Sequence, residues 1–109
     1  MIKITIDSLN DNVNHIHVSG HGGLDYGKDV ICAGVSSVVI GALNALKEND
    51  KFKISISEGD VEITALDNIS MHDKVVLETL IVQLYTISNS YPDRVQIKEF
   101  SRKEGTKWN

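Results

Sequence analysis

The sequence predicts an α+β domain: a two-layer α/β sandwich in which a five-stranded mixed sheet carries two helices on one face. Three observations carry this. Apolar residues recur at every second position in short runs at both ends and in the middle of the chain, the signature of half-buried strands. Two longer stretches have apolar residues at helical spacing. The runs follow one another as β-β-α-β-β-α-β, which a sheet with one helical layer accommodates. With 109 residues the chain is one domain with room for a single core, taken as residues 1–100, with a loose tail at 101–109.

Ile2, Ile4 and Ile6 alternate with Lys3, Thr5 and Asp7, so the chain opens on a strand and not on a signal peptide. Ser8 to Asn12 is turn chemistry. Val13 to Ser19 is a second strand, with Ile16 and Val18 on one face and His15, His17 and Ser19 on the other, and the two strands make a hairpin. A glycine-rich loop leads into a first helix over about Cys32 to Lys47. Val35, Val39, Ala42, Leu43 and Leu46 keep helical spacing there, and Val38, Ile40 and Ala45 widen the apolar surface beyond one stripe. Gly34 and Gly41 each cost about 1 kcal/mol of helix propensity relative to Ala, which close backbone approach would explain. Phe52, Ile54 and Ile56, then Val61, Ile63 and Ala65, alternate about the turn Glu58-Gly59-Asp60, the clearest hairpin in the chain. Ser70, with Asp73 three residues on, opens a second helix through a variant of the capping box. Leu77, Leu80, Ile81, Leu84 and Ile87 form its stripe, and Pro92 stops it. Val95 and Ile97 mark a last short strand.

A net charge of −4 argues against nucleic acid as a direct partner. No apolar run is long enough to span a bilayer, so no membrane is expected. A single cysteine makes no internal disulfide, and this fits a reducing, cytoplasmic setting. His15 and His17 point the same way from a strand. Two ligands without an accompanying Cys or His motif do not make a metal site, so the pair is read as solvent-facing.

The chemistry concentrates between Ser19 and Ser36, which hold four of the eight glycines before Cys32 is reached, and the lone cysteine. Cys32 falls at or near the start of the first helix. Unpaired N–H groups and the positive end of the helix dipole favour a thiolate there and could hold an oxyanion. His21 ends the second strand, and the loop between is long enough to bring base and nucleophile together. Cys and His are the minimum set for acyl transfer, which needs no metal or other cofactor. The bland alternative for Cys32 is a small buried hydrophobe in a non-catalytic scaffold or binding module. Ser36, one helical turn after Cys32, either hydrogen-bonds a reacting group or is a small residue at a packing surface. Asp29 either orients the imidazole or caps the helix. Facing the sulfur it would oppose the thiolate, so it should face His21 or the backbone.

Gly22 to Asp29 also matches Gly-x-x-x-x-Gly-Lys, but the next position of a phosphate-binding loop is Ser or Thr. Asp29 stands there, and the strands come as hairpins, so a nucleotide role is set aside.

Gly20-His21, Tyr26-Gly27, Asp29-Val30-Ile31-Cys32-Ala33 and Ser36 resemble the ribosomal-processing cysteine protease family, Prp. Its pattern is Gly-His-Ala, a short glycine-bearing loop, then Gly-x-Asp-Ile-Val-Cys-Ala-Ala-x-Ser. Gly22 stands where Ala is usual, Gly34 replaces the second Ala after the cysteine, and Val30-Ile31 swaps the usual order. The resemblance implies that His21 and Cys32 are the catalytic pair, with Asp29 and Ser36 at the family's Asp and Ser. It implies a cytoplasmic homodimer that removes the N-terminal extension of large-subunit ribosomal protein twenty-seven, a peptide substrate. A dimer is expected independently from the surplus apolar surface of the first helix and from Val75, Val76 and Val82 on the second. Gly22, Gly23 and Gly27 leave the loop backbone free. The loop is therefore expected to close on a peptide, with Leu24 and Tyr26 as apolar contacts.

Overall fold

The computed structural model describes residues 1–21, 29–66 and 68–103. The strands β1 (Ile2–Leu9) and β2 (Asn12–Gly20) form an antiparallel hairpin. Asn10 and Asp11 close it at φ of 53° and 67°, the left-handed pair that a two-residue hairpin turn requires and that these two side chains tolerate. Ser8, Leu9 and Asn12, expected in the turn, are therefore strand residues, and a register shift between Asp7 and Ser8 absorbs the irregularity.

Helix α1 spans Val30–Ala45, two residues earlier at each end than its apolar spacing suggested. Asp29 starts it as N-cap, and Leu46 ends it by turning extended. A single 3-10 turn, Asn49–Lys51, leads into the antiparallel hairpin of β3 (Phe52–Ser57) and β4 (Asp60–Ala65). Helix α2 (Met71–Ser90) is capped by Ser70, and β5 (Val95–Arg102) closes the chain. That strand is longer than expected: Ser101 and Arg102, assigned to the tail, pair with Ser8 and Leu9.

The strand order is β3-β4-β2-β1-β5, antiparallel except for the parallel pair of β1 and β5. It is the expected five-stranded mixed sheet with two helices. Ile2, Ile4, Ile6, Ile16 and Ile63 point from the sheet into one core against Val35 and Val39 of α1 and Leu77, Leu80 and Leu84 of α2. Each such side chain contributes roughly 1.5–3 kcal/mol by burial. None of the described helices is long and apolar enough to cross a membrane.

Asp73 ties the helices together. Ser70 Oγ accepts its N–H at 3.1 Å, half of a capping box. Its carboxylate does not turn back to the cap. It accepts the N–H groups of Lys47 and Glu48 at 2.9 and 3.0 Å, just past the end of α1, and His72 Nδ1 at 2.9 Å. Asp73 is fully buried. Burial alone would raise its pKa, but these donors outweigh it and hold the carboxyl below its usual 3.8.

The expected close approach at Gly34 and Gly41 is absent among the described residues. A Cβ on Gly34 would make only an ordinary contact with Ile87, 3.9 Å away, and one on Gly41 would meet nothing within 4 Å.

Candidate active site

Helix α1 begins at Val30, which places Cys32 third in the helix and not first. The Cys32 N–H donates to Asp29 Oδ1 at 2.8 Å, and the Ala33 N–H donates to the Asp29 carbonyl at 3.0 Å. Asp29 thus caps the helix and its carboxylate faces the backbone at Cys32. The cap occupies the Cys32 N–H, so an oxyanion would have to displace Asp29 there or use N–H groups nearer the start of the helix. Cys32 remains within the first turn of α1, where the positive end of the helix dipole acts.

Cys32 is half-buried and carries a free thiol. It lines a groove of about 240 Å³ between α1 and the β3–β4 hairpin. Val35, Val39 and Ile40 form the helical wall, Ile56 and Val61 the hairpin wall, and Ile2 and Val18 complete the apolar lining. Ser36, one turn beyond Cys32, also lines the groove, as do Ser57, Glu58, Gly59 and Asp60 of the hairpin tip. The cleft is therefore largely apolar, with Cys32 and Ser36 on the helical wall and Ser57 and Glu58 on the hairpin wall, while the Asp60 carboxylate pairs with His17.

His21 follows directly after β2 and is exposed. Its ring lies over the hairpin tip: a Cβ added to Gly59 would stand 3.1 Å from its Nε2. Gly59 lines the groove that Cys32 lines, so the turn against which the imidazole lies belongs to the Cys32 groove. Gly20, before it, holds φ of 97°, and a Cβ there would run into the Met1 carbonyl oxygen. The motif glycine next to His21 is thus required by sterics. Gly22, Gly23, Leu24, Tyr26 and Gly27, the expected substrate loop, lie outside the described residues.

His15 and His17 are not simply solvent-facing. On the sheet face opposite the helices, His15 donates from Nδ1 or Nε2 to Asp7 at 3.1 Å and Glu62 at 2.8 Å, according to its protonation, and His17 Nε2 pairs with Asp60 at 2.7 Å. Burial opposes a charge on His15. The hydrogen bonds and negative charges of Glu62 and Asp7 outweigh it, and the imidazole titrates above its usual 6.5. Asp7 of β1 and the alternating Asp60 and Glu62 of β4 are visible in the sequence, but which of them flank β2 depends on strand order. Among the described residues, no three His, Cys, Asp or Glu side chains form a group that could hold a metal.

A sheet with one helical layer carries a thiol in the first turn of a helix, beside an apolar groove whose Gly59 lies against a histidine ring, and comparison with known proteins specifies the class. The model of the family described as cysteine protease Prp matches residues 1–96, and the chain belongs to that family of cysteine proteases. It is 31% identical over 104 residues to the ribosomal processing cysteine protease Prp of Mycoplasma genitalium, covering 93% of this chain and 98% of that one. It is 30% identical over 107 residues to the Bacillus subtilis protein of the same name, covering 89% and 96%. The structure of the S. aureus ribosomal processing protease Prp with a covalently linked product peptide superposes with a TM-score of 0.81 at 28% identity, covering 91% of this chain and 99% of that one. A second structure of that protease holds a substrate peptide, with a TM-score of 0.77 at 27% identity, covering 91% and 99%. The scaffold alternative does not stand against family membership.

Proposed function

We propose that this protease removes the N-terminal extension of large-subunit ribosomal protein twenty-seven in the cytoplasm, with Cys32 as nucleophile and His21 as general base. The observation that carries the reading is the shared groove: Cys32 lines it, and the His21 ring lies against Gly59, which lines it too. His21 takes the Cys32 thiol proton, and the thiolate so formed attacks the scissile carbonyl carbon. Collapse of the tetrahedral intermediate breaks the C–N bond, and His21 returns the proton to the leaving amine. Water, deprotonated by His21, then hydrolyses the thioester. Ser36 faces the same groove and is placed to hydrogen-bond a reacting group or the peptide, while Asp29 supports the site by fixing the first turn of α1. The walls of Val35, Val39, Ile40, Ile56 and Val61 suit an extended peptide with apolar side chains.

The working unit is a homodimer through the outer face of the helices. Val75 and Val82 of α2 are 50% and 64% exposed. Gly41, Ala45 and Val75 line a shallow depression between the helices. A second copy would cover this face, and the open space beside Gly41 among the described residues would fit it.

The test is mass spectrometry of the full-length ribosomal protein after incubation with this chain. Loss of a discrete N-terminal segment is expected, and none with purified Cys32→Ala. Turnover by Cys32→Ala would end the reading, as would an untouched substrate with the parent enzyme and a native thiol that resists alkylation until unfolding.

A further inference from the structure

We propose that Gly59 is a positioning residue for the His21 imidazole: its bare α-carbon at the tip of the β3–β4 hairpin is the seat on which the ring is set. The inference rests on the reading of His21 as general base. A Cβ at residue 59 would lie 3.1 Å from His21 Nε2 and 3.3 Å from Cε1, closer than carbon normally approaches either atom, so a side chain there pushes the ring back by a few tenths of an ångström. Gly59 also fixes the chain from which the ring hangs, because its carbonyl accepts the Gly20 N–H at 2.9 Å. The seat itself is anchored. Asp60, the next residue, is held by His17 Nε2 at 2.7 Å, and its neighbours pair with β2 in register.

The contact separates fold from chemistry. His21 is exposed, so its ring can swing away from an added methyl at little cost to stability. Proton transfer does not tolerate that swing. It needs heavy atoms within about 2.6–3.2 Å, and an ångström of misplacement costs up to about a hundredfold in rate. The hairpin turn, far from Cys32 in sequence, therefore sets the base geometry, and the requirement for glycine there is double. The φ of 70° demands it for the backbone, and the imidazole demands it for space.

The two demands can be told apart with Gly59→Ala and Gly59→Asn. Both add the Cβ, but Asn adopts positive φ more readily. The expected result is a larger drop in melting temperature for Ala than for Asn, with kcat reduced about tenfold or more in both, KM little changed, and the acid limb of the pH–rate profile displaced. An Asn variant that folds and turns over like the parent overturns the proposal, as do rate losses that merely follow stability. A second measurement needs no folded variant: in the parent protein, a nuclear Overhauser contact between His21 Hε1 and the Gly59 α-protons is expected, and its absence overturns the proposal. Failure of the underlying reading looks different. In that case His21→Ala would retain turnover while the Overhauser contact in the parent persisted.

Discussion

Acidic residues near helix starts do different work at the two helices, and the difference decides what each substitution costs. Asp29 is spent locally, on the Cys32 N–H. Asp29→Ala is expected to lose about 1 kcal/mol of stability, the usual worth of a cap, measured by urea unfolding. It should also free the Cys32 N–H. Asp73 is spent remotely, on two backbone donors beyond the end of α1. Asp73→Ala would remove the partner of two part-buried donors, and is expected to cost about 1–3 kcal/mol, more than Asp29→Ala. The pH dependence has a definite sign. A carboxyl whose folded pKa lies below its unfolded value contributes stability above the unfolded value, near 3.8, and loses it as pH falls through the folded value. The parent should therefore lose stability relative to Asp73→Ala on acidification below about 4, and parallel curves would refute this. The sequence placed Asp73 near a helix start correctly. It could not show that the carboxylate reaches another helix, because that depends on where Lys47 and Glu48 lie in space.

At the level of elements, the strands were legible because period two survives any environment: Ile2, Ile4 and Ile6 are buried as their alternation required. Helix ends were less so. The apolar stripe of α1 is blind to its first turn, where exposed Val30 and capping Asp29 decide the start, and this moved Cys32 from the first helical position to the third. The outward face of β2 gives the second prediction. His15 has a folded pKa above 6.5, so its ion pairs contribute fully below about 6.5 and fade as pH rises through the folded value. His15→Gln should therefore be less stable than the parent by up to about 1 kcal/mol in mildly acidic buffer, with the gap closing at alkaline pH. A gap that widens with pH would contradict the pairing to Asp7 and Glu62. Strong salt should also narrow it, since Glu62 is 46% exposed.

For the molecule as a whole, the class of fold was legible and the order of strands was not. Alternation identifies a strand without naming its neighbour, and nothing in Val95 or Ile97 says that they lie beside Ile2 and Ile4. The groove depends on that order, since Ile2, Val18 and Val61 reach it from three different strands. The proposed dimer is tested at this scale. Val75→Lys puts a charge in the centre of the exposed helical face and is expected to convert a particle of twice 12.0 kDa to one of 12.0 kDa by light scattering, with the melting profile otherwise retained. A parent that already scatters at 12.0 kDa at every concentration would refute the dimer.

The parallel pairing of β1 with β5 also bears on how the chain comes to be folded. Synthesis delivers β1 early and its second neighbour at the far end of the chain, and sheet contacts of such wide separation form late. Until then β1 is an open edge of alternating isoleucines, the kind of template on which nascent chains join one another. The last strand is therefore a latch, and its loss should expose that edge for good. A chain ending at Tyr91 is expected in the insoluble fraction, and one ending at Lys103 in the soluble fraction with full turnover. If the shorter chain stayed soluble and monodisperse, the latch would have no part in protecting β1.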